Sequence, residues 1–286
     1  MSIERALAAA GLRPARVRHV GGGDINDAYA VELDGGGRAF VKTRAGAEPG
    51  EYAAEAAALE WLAEPAALRV PRVLAVSDEL LALEWVDEGR LGAAGEDELG
   101  RGLAALHLAG AERFGAVADG APTDTRIGPL LLPNDPCPDW PSFYAERRLR
   151  PLLPRASKRG ALSAGGRRAV ERVCERLPEL AGPPEPPARL HGDLWSGNVL
   201  AGADGRPWLI DPAAYGGHRE VDLAMLRLFG APSPRALAAY EEAAPLADGH
   251  EERVPLWQLF PLLVHAVLFG GGYGASVERV ARRYGG

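Results

Sequence analysis

An aspartate followed five residues later by an asparagine, then a second aspartate thirteen residues beyond it, forms a set of oxygen ligands that could serve phosphoryl transfer. The set is Asp193, Asn198 and Asp211, and the first two lie in the polar loop of Leu190-His191-Gly192-Asp193-Leu194-Trp195-Ser196-Gly197-Asn198. A carboxylate beside an acceptor hydroxyl can orient it and take its proton. A second carboxylate and an amide oxygen are hard ligands that can hold Mg²⁺ against phosphate. Read alone, the loop could equally be a polar turn in which Asp193 and Asn198 only cap backbone groups. Asp211, delivered by the apolar run Trp208-Leu209-Ile210, argues against that reading.

The order and offsets are those of the catalytic-loop Asp, Mg²⁺-binding Asn and second Mg²⁺-binding Asp of protein kinases. That chemistry also needs a cation for the α- and β-phosphates, and an acidic partner on the next helix to hold it. Lysine occurs only at positions 42 and 158, and Lys42 falls in an apolar strand about twenty residues past Gly21-Gly22-Gly23. Glu51, Glu55 and Glu60 lie on the following helical stretch. Glu55 is the expected partner, since Ala54, Ala58, Leu59 and Leu62 mark the inward face around it. The glycine loop, with Gly22, Gly23 and Asp24, could bring backbone N–H groups over a triphosphate, although such triplets are usually simple turns. Glu84 and Val86, where the first lobe should end, are expected to offer backbone C=O and N–H to adenine.

The elements that must position these residues fall into two blocks. Residues 15–20, 28–33, 38–43, 73–76 and 80–86 read as strands and residues 48–62 as a helix, preceded by an opening amphipathic helix over 3–10. Beyond residue 88 helical patterns dominate: 96–108, 140–153, 163–180, 221–229, 234–243, 254–269 and 276–284. A Pro-rich connector, 182–187, feeds two short strands around the polar loop. The expected class is α+β: a bilobal, protein-kinase-like fold with a small five-stranded antiparallel β lobe and one helix (residues 1–88), then a larger, mainly helical lobe (residues 89–286).

Composition narrows the alternatives. The 286 residues carry a formal net charge of −7, which disfavours a nucleic-acid partner. No run approaches the roughly 18 apolar residues of a membrane span, and the N-terminus lacks the flanks of a secretory signal. Two cysteines, Cys137 and Cys174, without a C-x-x-C pair, exclude a disulfide framework and fit the cytoplasm. His107 and His265 read as hydrogen-bonded core histidines, and Asp222 as a brace for the catalytic loop.

Four segments resemble the fructosamine (ketosamine) kinases, relatives of aminoglycoside and choline phosphotransferases. They are Gly21-Gly22-Gly23-Asp24-Ile25-Asn26, the run from Trp140 to Leu149, His191 to Asn198 with its Leu-Trp-Ser-Gly insert, and Asp211 to Met225. The resemblance spans nearly the whole chain. It implies transfer of the γ-phosphate of ATP, with Mg²⁺, to the sugar 3-hydroxyl of a ketosamine, a reaction that repairs glycated amines. It assigns Asp193 as base, Asn198 and Asp211 as metal ligands, and Lys42 with Glu55 as phosphate clamp. Trp195, Tyr215 and His218 would lie near the acceptor, and a monomer is expected. Two departures stand out. Asp24 replaces the glycine-loop cysteine of many relatives, and Leu132 stands where Gln is frequent. A kinase of an aminoglycoside or amino alcohol is the alternative, and a non-catalytic pseudokinase a more distant one.

Overall fold

The computed structural model describes residues 3–21, 26–230 and 233–286. The predicted glycine-loop residues Gly22, Gly23 and Asp24 lie outside them. After helix α1 (Ile3–Ala9), strands β1 (Pro14–Val20), β2 (Asp27–Leu33) and β3 (Arg38–Thr43) make an antiparallel meander. Helix α2 (Glu51–Ala63) follows, then β4 (Val73–Val76) and β5 (Leu80–Glu84), giving the sheet order β1-β2-β3-β5-β4. Side chains alternate across a strand, so β3 sends Val41 and Lys42 to opposite faces. Val41 packs with Leu7 of α1, Val31 and Leu80, whereas α2 covers the other face through Tyr52, Ala56 and Leu59. The small lobe therefore has a helix on each side of its sheet, the expected opening helix on one and the helix expected over 48–62 on the other.

The larger part is mainly helical. It comprises α3 (Ala93–Leu108), α4 (Trp140–Phe143), α5 (Leu153–Lys158), α6 (Ala164–Leu180), α7 (Glu220–Leu226), α8 (Pro234–Ala243), α9 (His250–Trp257), α10 (Leu259–Leu268) and α11 (Tyr273–Gly285). Three short antiparallel pairs interrupt it: β6 (Thr125–Ile127) with β7 (Leu130–Leu132), β8 (Ala188–Leu190) with β11 (Tyr215–Gly217), and β9 (Val199–Ala201) with β10 (Pro207–Leu209). Ser163 caps α6 by accepting from the Gly166 N–H at 2.9 Å. Gly100 lets α3 approach α8 closely, since a Cβ there would lie 2.1 Å from the Ala236 carbonyl.

Two predicted continuous helices are broken, both around proline. The helix expected over 140–153 becomes α4, a π-helical segment Tyr144–Leu149, a 3₁₀ turn Arg150–Leu152 and then α5. Pro151 cannot donate to the Arg147 carbonyl, which instead accepts from Arg148 Nη1 at 3.0 Å. The helix expected over 254–269 divides at Gln258 into α9 and α10. Pro261 cannot donate to the Trp257 carbonyl, and the Tyr144 hydroxyl enters the break. It donates to the Leu256 and Trp257 carbonyls at 3.2 and 2.9 Å and accepts from the Phe260 N–H at 3.2 Å. The β6–β7 hairpin and β11 were not expected from the sequence.

Candidate active site

Lys42 is 5% exposed on the α2 face of β3. Its Nζ lies 2.5 Å from Glu55 Oε1 and 2.8 Å from Asp211 Oδ1, so one cation joins a strand, a helix and a distant loop. Burial alone would lower the Lys42 pKa, but the Glu55 and Asp211 carboxylates outweigh it and hold the ammonium above its ordinary value. Burial pushes the Glu55 carboxyl upward while Lys42 pulls it down. The short contact is that of a charged pair. The other two candidate partners are elsewhere: Glu51 pairs with Arg44 at 2.5 Å, and Glu60 is exposed.

Asp193 follows β8 in a loop whose shape has clear local causes. Gly192 has φ +83°, and a Cβ there would meet the Ala213 carbonyl at 2.0 Å, so only glycine fits. Asp222, near the start of α7, accepts from the His191 and Gly192 N–H groups at 2.7 and 3.0 Å, the bracing role expected of it. His107, as expected, is a hydrogen-bonded core residue, linked to the Tyr240 hydroxyl at 2.8 Å and Asp222 at 3.3 Å. His191 is fully buried, and burial lowers its pKa and keeps it neutral. Its Nε2 donates to the Ile210 carbonyl at 2.9 Å, and its Nδ1 accepts from the Asp193 N–H at 3.3 Å. One imidazole thus fixes the spacing between the Asp193 loop and the Asp211 strand end.

Asn198 Nδ2 donates to the Asp193 carbonyl at 2.8 Å, leaving Oδ1 free as an acceptor. Asp211 is held at φ +53°, a left-handed conformation that is uncommon for a non-glycine residue and typical of functional sites. Asp193 is pushed up to about 7 by burial, with the Asp211 and Asp222 carboxylates adding to the effect and Asn198 opposing it. A carboxyl poised near neutrality suits proton transfer.

A cleft of about 220 Å³ opens over Lys42, Asp193 and Asp211, walled on one side by α2 and on the other by residues 117–128. Glu84 and Val86 do not line it. The Glu84 carboxylate turns outward and accepts from the Arg72 N–H at 3.0 Å, while Val86 is half-buried just past β5. Trp195 is 38% exposed, and its ring lies over Gly197, where a Cβ would clash at 2.2 Å.

None of Trp195, Tyr215 and His218 lines the cleft, contrary to the motif-based expectation. Tyr215 is 1% exposed and lies 4.0 Å beneath the Arg148 guanidinium, and His218 is 3% exposed and stacks on Trp257. Tyr215 and His218 belong to the aromatic interior of the larger lobe, because β11 turns their segment away from Asp193. Leu132 is likewise fully buried, as the inward residue of β7.

Sequence reasoning missed Asp124 and Arg126, which line the cleft beside Asp193. The alternation of Asp124, Thr125, Arg126 and Ile127 is a signal for a short strand that could have found them. Also missed was Arg148, a fully buried cation. It donates to Asn134 Oδ1 at 2.6 Å and the Pro133 carbonyl at 2.9 Å.

The family model for fructosamine kinase matches residues 3–284. A Synechocystis protein named "Probable ketoamine kinase" is 36% identical, over 93% of this chain and 89% of its own. The chloroplastic protein-ribulosamine 3-kinase of Arabidopsis thaliana is 34% identical, over 94% of this chain and 82% of its own. A crystal structure of a Thermobifida fusca protein named "putative fructosamine-3-kinase" superposes with a TM-score of 0.91 at 48% identity, covering 98% of this chain and 97% of that one.

Proposed function

Because the chain belongs to the fructosamine kinase family, we propose that it transfers the γ-phosphoryl group of ATP to the sugar 3-hydroxyl of ketosamines, fructosamines or ribulosamines. The observation that carries this reading is the Lys42–Glu55–Asp211 ion-pair cluster facing Asp193 across one cleft. Asp193 accepts the proton of the sugar hydroxyl, the hydroxyl oxygen bonds to the γ-phosphorus, and the bond to the β,γ-bridging oxygen breaks to release ADP. Lys42, held by Glu55, neutralises the α- and β-phosphates.

The free Oδ1 of Asn198 and the half-exposed carboxylate of Asp211 are the hard oxygen donors Mg²⁺ prefers, so these residues fit that ion. Bound there, it would neutralise phosphate charge. In this reading residues 1–88 hold the nucleotide, with the glycine loop over the phosphates and the backbone of Glu84 and Val86 at adenine. Residues 89–286 supply the catalytic loop and the acceptor site. A monomer is part of this reading, and the two free cysteines suit a reducing cytoplasm.

The test is turnover of ATP and Mg²⁺ with a glycated lysine carrying ribulose or fructose, following ADP release and locating the phosphate by NMR. Acceptor-dependent ADP release with phosphate on the sugar 3-oxygen is expected. Transfer to an aminoglycoside or amino alcohol but to no ketosamine would replace this reading with the wider phosphotransferase one.

A further inference from the structure

The cleft is lined by two basic residues, Lys42 and Arg126, and five acidic ones, Glu51, Glu55, Asp124, Asp193 and Asp211. Lys42 is committed to Glu55 and Asp211, and Glu51 to Arg44. Asp193 is the proton acceptor. Asp124 and Arg126 are left over: both are half-buried, and neither pairs with the other or with any other charged group among the described residues.

Their placement follows from the strand. Arg126 lies in β6 and Asp124 immediately precedes it, and both line the cleft, about 6–7 Å apart along the chain. Thr125, between them, also borders the cleft but is buried. Its hydroxyl accepts from Asn134 Nδ2 at 2.6 Å, and Asn134 Oδ1 in turn accepts from the buried Arg148. The hairpin is thus anchored to the interior, and its two cleft-facing charges are presented on a fixed support. The cleft lies on the α2 side of Lys42 and does not reach Glu84 or Val86, so these charges face the acceptor rather than the adenine end.

We infer that Asp124 and Arg126 form a subsite for a zwitterionic acceptor, a ketosamine built on the α-amine of a free amino acid. The protonated secondary amine of such a molecule would meet Asp124, and the neighbouring α-carboxylate would meet the Arg126 guanidinium. A glycated side-chain amine within a protein offers the first charge without the second. This subsite rests on the ketosamine reading above.

The experiment compares ribulosyl-glycine with ribulosyl-glycinamide, which differ only in the carboxylate, in the wild type, Arg126→Gln and Asp124→Asn. A charge-assisted contact predicts a kcat/KM about 10- to 100-fold higher for the acid in the wild type, carried by KM. In Arg126→Gln that ratio falls toward one, and in Asp124→Asn KM rises for both acceptors. Equal turnover of acid and amide by the wild type would overturn the subsite while leaving the kinase reading intact. So would an Arg126→Gln variant whose kcat falls equally on both and whose KM for ATP rises, since the guanidinium would then serve the phosphoryl group. Failure of the wild type to phosphorylate any ketosamine would overturn the subsite and the proposed function together.

Discussion

At the scale of single residues, the site depends on carboxylates that differ in surroundings more than in chemistry. Asp193 is enclosed and raised toward neutrality, whereas Asp211 is half-exposed and bonded to Lys42. This asymmetry predicts separate phenotypes. Asp193→Ala should lower kcat by about 10²- to 10⁴-fold, the usual worth of a general base, with nearly unchanged ATP affinity in a calorimetric titration. Asp211→Ala should weaken Mg²⁺-dependent ATP binding as well, because it removes the proposed metal ligand and the second partner of Lys42. Near-normal turnover in Asp193→Ala would rule out the mechanism. These residues were legible in the sequence because their spacing reflects a loop and a strand whose backbone geometry allows few other solutions. Tyr215 and His218 were misplaced for the opposite reason. Their motif gives their order along the chain, but the direction in which β11 carries them depends on pairing with β8.

At the scale of elements, the β6–β7 hairpin is a platform and Asn134 is its anchor. Asn134 receives the fully buried Arg148 and donates to the Thr123 carbonyl and the Thr125 hydroxyl, at 2.9 and 2.6 Å. Asn134→Ala leaves these groups unsatisfied in the interior, so about 1–3 kcal/mol of stability should be lost in urea denaturation. The same variant should raise the KM for the acceptor more than that for ATP. Wild-type stability in Asn134→Ala would show that the hairpin is held by something else. None of this was apparent from Asn134 itself, which reads as an ordinary loop residue after Pro133. Its role arises because the π-helical segment turns Arg148 inward toward it.

At the scale of the whole molecule, α2 belongs to both lobes. Tyr52, Ala56 and Leu59 cover the sheet, while Ala58, Trp61 and Leu62 pack with Leu103, Leu194, Leu209 and Leu223 of the larger part. Arg189, on β8 just ahead of the catalytic loop, stacks 4.5 Å from the Trp61 ring. It also donates to the Trp61 carbonyl and to Glu64, at 2.5 and 2.8 Å. The helix carrying Glu55 is therefore pinned at its far end by the strand that leads to Asp193. Arg189→Ala should raise the KM for ATP severalfold and speed amide hydrogen exchange along α2, and unchanged exchange would refute the coupling.

Acid stability reports on the interior of the same molecule. Burial lowers the pKa of His218, with Arg219 and Arg253 adding to the depression and Glu220 and Glu185 opposing it. A depressed histidine excludes a proton in the folded state that the unfolded chain binds below about 6.5. Stability should therefore fall as pH drops through that value, by up to about 1.4 kcal/mol per pH unit for each such histidine. The loss should level off only below the folded-state pKa. Urea midpoints at pH 7.5 and 5.5 should show this fall, and His218→Gln should reduce it.

By itself, the sequence determined the strand–turn–strand order of the small lobe, the candidate site residues Lys42, Glu55, Asp193, Asn198 and Asp211, and the family. Alternation, helical periodicity and motif spacing are local properties, and they survive in one dimension. The tertiary structure decided that Lys42 is shared between Glu55 and Asp211, where prolines divide the helices, and that Tyr215 and His218 are packed away from the cleft. It also placed Asp124 and Arg126 opposite α2. Those outcomes depend on contacts between segments far apart in the chain, where the burial of one side chain sets the direction of another.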